Sequence, residues 1–157
     1  MFKSIEAKTT FFSIALFASI EEITKGLTYA LSTKIKKCDN LFTRSFLIGL
    51  GFSISEVVIR YVQLFLMGKI PLFFLIIYGA NTFIMITMAH TVFSYIFISG
   101  IQQNRLFLFL SAIGLHTIHN LISFGGYRLL TAGLIVLYTS FIFYFYFLNH
   151  HRCSIKS

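Results

Sequence analysis

Acidic side chains are scarce in this chain, and the few present stand where a soluble protein would not put them. Among 157 residues there are five Asp and Glu against 13 Lys and Arg, and charged residues of both signs make up only 11%. So little charge excludes an ordinary soluble domain and a disordered chain alike, since both depend on polar surface to stay in water. Tryptophan is absent and proline occurs once. The two cysteines, Cys38 and Cys153, have no paired spacing, which excludes a zinc motif or a disulfide framework and leaves two thiols expected to stay reduced. What the chain does have is apolar surface: 57% hydrophobic residues and a mean hydropathy of +0.82. That composition is the composition of an integral membrane protein.

The net charge of +8 is not a nucleic-acid footprint. Lys8, Lys34, Lys36, Lys37, Arg44, Lys69, Arg105, Arg128 and Arg152 lie at the ends of apolar stretches, as membrane flanks do. No basic surface interleaved with stacking aromatics lies outside those stretches, so no nucleic-acid partner is expected. The expected partner is the lipid bilayer.

A helix needs about 20 apolar residues to cross the hydrocarbon core. Five stretches qualify, at roughly 10–31, 43–67, 72–98, 106–124 and 129–148. Their continuous apolar runs predict helices and not barrel strands, which would alternate with a period of two. The expected fold is therefore all-α, a polytopic membrane helix bundle of about five transmembrane helices in a single integral domain. Polar or glycine-bearing segments separate the spans at 32–44, 68–71, 100–105 and 125–128. The first stretch holds Glu21, Glu22 and Lys25 and lacks a clear cleavage site, so it reads as a retained span and not a signal peptide. Lys34, Lys36, Lys37, Arg44, Arg105, Arg152 and Lys156 fall on one side of such a bundle; Lys3, Lys8, Lys69 and Arg128 fall on the other. The positive-inside rule then predicts the N-terminus outside and the C-terminus cytoplasmic.

Three of the five acidic residues, Glu21, Glu22 and Glu56, lie inside predicted spans, together with His90, His116, His119 and Asn120. A carboxylate at mid-helix costs ~2.5–3.5 kcal/mol on insertion scales, so these groups must be paired, buried in the bundle or hydrated. Glu21, Glu56, His90 and His116 all fall about 10–13 residues from the proposed inner boundary, which at the helical rise is nearly one level. Gly49, Ser53, Glu56, Arg60 and Gln63 share one helical stripe, and Ala112, His116, His119, Asn120 and Ser123 share another. In the first span Ala15, Ser19, Glu22 and Gly26 form a small-residue face suited to close helix approach. The i, i+4 pairs Glu21–Lys25 and Glu56–Arg60 can be read as local neutralisation. One lysine cannot neutralise both Glu21 and Glu22, which leaves a carboxylate able to exchange a proton. Ser53, Ser55, Ser94, Ser111 and Ser123 read as packing hydroxyls, and 129–148 as a supporting helix.

These residues resemble a known pattern. Glu21-Glu22-Ile23-Thr24-Lys25 resembles the EExxK motif of the PrsW-type intramembrane proteases, a family related to the CAAX proteases and bacteriocin-processing enzymes. Gly51-Phe52-Ser53-Ile54-Ser55-Glu56 is similar to that family's GFxxxE segment. His90, followed by an aromatic and then Gly100, looks like its third element, and His116-Thr117-Ile118-His119-Asn120 resembles its terminal HxxxN/D motif. Arg60 and His119 stand outside the pattern. The resemblance implies hydrolysis of a peptide bond in a membrane-anchored protein substrate.

The expected catalytic set is Glu21, Glu22, Glu56, His90, His116 and Asn120. Glu21 or Glu22 would activate a water with help from His90, Glu56 and His116 would position it or protonate the leaving amine, and Asn120 would steady the oxyanion. A divalent metal such as zinc could be held by the same residues, since two histidines and a carboxylate suffice as ligands; the spacing leaves metal-dependent and metal-free chemistry equally open. Two rival readings keep the same groups: a catalytically inactive immunity or binding protein of this fold, and a proton-coupled carrier component.

Overall fold

A computed structural model describes residues 2–35, 40–67, 71–125, 130, 133–134 and 136–144. Helix α1 spans Phe2–Ile35, α2 Leu41–Leu66, α3 Leu72–Gln103 and α4 Leu106–Gly125. A fifth helix, α5, is described at 130, 133–134 and 136–144. There is no strand among the described residues. Helix is what these runs must form in lipid, where each backbone N–H and C=O has to find its partner within its own segment. Leu41–Leu66, Gly79–Gln103 and Leu106–Ser123 are long and apolar enough to cross a membrane. The protein is an all-α membrane helix bundle.

The helices overrun the stretches predicted from hydropathy. α1 begins at Phe2 and continues to Ile35, and α3 runs to Gln103, because a helix does not stop where its side chains become polar; it stops where its hydrogen bonds are capped. The expected 100–105 loop is thus a two-residue corner at Asn104 and Arg105. Asn104 takes the left-handed conformation (φ 52°) that closes a helix C-terminus, and the Arg105 N–H donates to the Gly100 carbonyl at 2.9 Å. At the other ends, the Asn40 side chain accepts from the Phe42 N–H at 3.0 Å, and Pro71 starts α3, where its missing N–H costs nothing. Cys38, Cys153 and the limits of the fifth predicted span lie outside the described residues.

Burial along α1 is inside-out. Ala18, Glu22, Lys25, Gly26 and Tyr29 are buried at helical spacing, while Phe12, Phe17, Ile20, Leu27 and Leu31 are exposed. The polar stripe faces the bundle and the apolar face is turned to where lipid would be. α3 is the central element, packed against α1, α2 and α4. Phe93, Val92 and Ala89 of α3 make one core with Tyr138 of α5; Ile98 makes a second with Tyr29 and Ile48.

Two glycines set how near the outer helices come to α3. A Cβ on Gly49 would lie 2.7 Å from the Thr91 nitrogen and 3.0 Å from the His90 carbonyl carbon, so α2 meets the α3 backbone itself. A Cβ on Gly26 would lie 2.6 Å from the Phe97 ring. By contrast Gly51, the glycine of the GFxxxE segment, has nothing within 4 Å of that position. Gly49→Ala is therefore expected to cost about 1–3 kcal/mol by overpacking, whereas Gly51→Ala should be neutral or gain up to about 1 kcal/mol from helix propensity. Thermal melts in detergent would compare the two; equal tolerance would contradict the backbone-to-backbone contact of α2 and α3.

Candidate active site

Gly49 puts α2 against His90, and Gly26 puts α1 against α3, so the polar stripes of three helices meet at one level. Lys25, with no solvent exposure, is at the centre. Its Nζ lies 2.6 Å from Glu22 Oε1, 3.0 Å from Glu21 Oε1 and 2.8 Å from His90 Nδ1. The Phe52 ring closes the site from α2, 5.3 Å from the ammonium.

The network extends from there in two directions. His90 Nδ1 stands 2.8 Å from Lys25 Nζ and 3.0 Å from Glu21 Oε1; with the ammonium donating to it, the ring proton sits on Nε2. That N–H donates to Glu56 Oε2 at 2.9 Å, and Glu56 Oε1 accepts from Arg60 at 2.6 Å. On the other side His116 Nδ1 donates to Glu22 Oε1 at 2.7 Å. His116 Nε2 lies 3.6 Å from Glu21 Oε2. The two imidazoles are edge to face, 5.4 Å between centroids, and Phe93 stacks on His116.

Five of the six expected residues, Glu21, Glu22, Glu56, His90 and His116, are thus joined by direct contacts through Lys25. Asn120 shares a cleft with three of them. That cleft, about 480 Å³, is lined by Glu21, Glu56, Arg60, His116 and Asn120, with Thr10, Ser13, Ile14 and Phe17 along its α1 wall. A second cleft of about 470 Å³ lies beyond Glu21, Glu56 and Arg60 and reaches Ser55 and Gln63. The two carboxylates of the EExxK segment differ sharply: Glu22 is fully buried, while Glu21 keeps 28% of its side chain exposed and lines both clefts. Among the described residues, Glu22 Oε2 is buried with no hydrogen-bond partner.

His119 shares the Phe93 ring with His116 but points to a different partner. It is 3.2 Å from the Tyr138 hydroxyl and packs edge-on against Phe93, a core position between α4 and α5. The shared stripe expected on α4 therefore divides: His116 and Asn120 face the cleft, and His119 faces α5. Ser53, Ser55 and Ser111 bond back to the carbonyl four residues earlier, as packing hydroxyls do. Sequence reasoning overlooked the α1 wall, although residues 10, 13, 14, 17 and 21 have the i, i+3, i+4 spacing that puts them on one face. It also treated Lys25 as a local neutraliser only.

Glu21, Glu22, His90 and His116 offer ligand atoms within 4.8 Å of one another, a donor set of the right kind and number for a divalent metal. A tetrahedral zinc would set its ligands about 3.4 Å apart, close to the Glu21–His116 separation of 3.6 Å. The position such an ion would share among Glu21, Glu22 and His90 is nevertheless occupied by the Lys25 ammonium. Donor type fits a metal, and the arrangement does not.

Comparison with protein-family models, curated proteins and solved structures finds no match to this chain. The site therefore stands on its geometry.

Access gives a direct check. In a background with both native cysteines replaced by serine, Ser13→Cys, on the cleft wall, should react with a small hydrophilic thiol reagent. Ser53→Cys, fully buried, should react at least about tenfold more slowly. Equal rates, read by mass spectrometry of the intact protein, would mean that no water-filled cleft reaches this level.

Proposed function

We propose that the protein is an intramembrane endopeptidase that hydrolyses a peptide bond of a membrane-anchored protein. The observation that carries the reading is one carboxylate, Glu21, opening on a cleft with its Oε2 3.6 Å from His116 Nε2, within a bundle whose outer face is apolar. The resemblance of the EExxK, GFxxxE and HxxxN segments to PrsW-type proteases agrees with it.

Each group then has a role set by its exposure. Glu21, reachable from the cleft, takes a proton from a water held between its Oε2 and His116 Nε2. The water oxygen bonds to the scissile carbonyl carbon, the Asn120 amide donates to the oxyanion that forms, and the C–N bond breaks as the proton passes from Glu21 to the leaving amine. Glu22, buried, does not meet substrate; it holds His116 in the tautomer that leaves Nε2 facing the cleft. Glu56 does the same for His90 from the other side. In the membrane the bundle would cross five times, N-terminus outside and C-terminus cytoplasmic, with labelling of Cys38 by an impermeant reagent in intact cells as the contrary result.

Glu21→Gln and His116→Ala are expected to lower cleavage by about 10²–10⁴, the usual worth of a general acid–base group. Asn120→Ala should lower it by about 10²–10³, as loss of an oxyanion donor does. Gln63→Ala, at the exposed end of the second cleft, should leave the rate within a few-fold. A substrate for the assay would come from membrane proteomes compared with and without the protein. Undiminished cleavage in Glu21→Gln would remove this mechanism, and a proton flux abolished in the same variant would favour a carrier.

A further inference from the structure

The mismatch between a metal-type donor set and its occupant leads further. Four potential ligands from three helices lie within 4.8 Å of one another, and α1 places its own cation against three of them. Lys25 Nζ has three partners at 2.6–3.0 Å, two carboxylate oxygens and one imidazole nitrogen, the partners a divalent ion would recruit. A fully buried lysine needs such anionic and acceptor company to remain charged away from water. Phe52 and Phe93, at 5.3 and 6.0 Å from the ammonium, present ring faces that favour a cation further.

We propose that Lys25 is the resident cation of this site, a tethered substitute for a divalent metal, and that it excludes one. As a positioning residue it compensates the adjacent Glu21 and Glu22 and, by donating to His90 Nδ1, keeps the His90 proton on Nε2 toward Glu56. The consequence is specific. Removing the ammonium should convert the site into a metal site, because Glu21, Glu22, His90 and His116 then keep their ligand atoms and lose their cation. The inference concerns the same groups as the proposed peptidase but not turnover, so either can fail while the other stands.

The test uses the full chain purified in detergent, with zinc alone as the probe. Wild-type protein should retain far less than one zinc per chain after desalting, and zinc should leave its melting temperature unchanged. Lys25→Ala and Lys25→Met should melt lower without metal, bind about one zinc per chain at least about 100-fold more tightly than wild type, and regain thermal stability when zinc is added, since a ligand that binds only the folded state stabilises it. Adding His116→Ala to either variant should abolish the gain. One zinc per wild-type chain, lost on His116→Ala, would overturn the proposal outright. So would a folded Lys25 variant, judged by helicity and a monodisperse elution, that binds no zinc. If neither variant folds, the wild-type measurement decides by itself.

Discussion

A buried ammonium is the constraint around which the rest of this bundle is arranged. Lys25 has no exposed surface, and an unpaired charge in such a place would cost several kcal/mol. It is tolerated because α1 supplies two carboxylates, at i−3 and i−4, and α3 supplies an imidazole nitrogen. Two carboxylates to one lysine leave negative charge over; the His116 N–H donates to Glu22, and Arg60 offsets the further carboxylate, Glu56, that His90 brings to the cluster. One ion cluster therefore ties four helices together at a single level.

Such a cluster requires the helices to be close, and small residues provide the closeness. Gly49 lets α2 lie on the α3 backbone at His90 and Thr91, and Gly26 lets α1 lie on Phe97. Without a hydrophobic drive between helices in lipid, tight packing and polar contact are what hold a bundle together. The same glycines thus serve stability and, by bringing Glu56 and Lys25 to His90, the site itself.

Much of this was legible in the chain. The apolar runs made helices unavoidable, and acids and histidines at a common depth within them indicated one joint site. The α2 stripe is continuous in the structure, from buried Gly49 and Ser53 to half-exposed Glu56 and Arg60. Less legible were distinctions among residues that look alike in sequence. Glu21 and Glu22 are neighbours, yet a rotation of about 100° per residue puts one on the cleft and the other in the interior. His116 and His119, three apart, differ by about 60° of rotation, enough to send His119 to Tyr138.

What the sequence determined by itself was the class of molecule and the level of its polar groups, since both follow from hydropathy and from a fixed rise per residue. Only tertiary structure decided which carboxylate faces the cleft, that Lys25 is the hub and not a local neutraliser, and that its ammonium stands among metal-type ligands. Those outcomes depend on how α1 is rotated against α2, α3 and α4. Contacts between residues as far apart as Lys25 and His90 settle that rotation, and a pattern of period 3.6 along one helix carries no record of them.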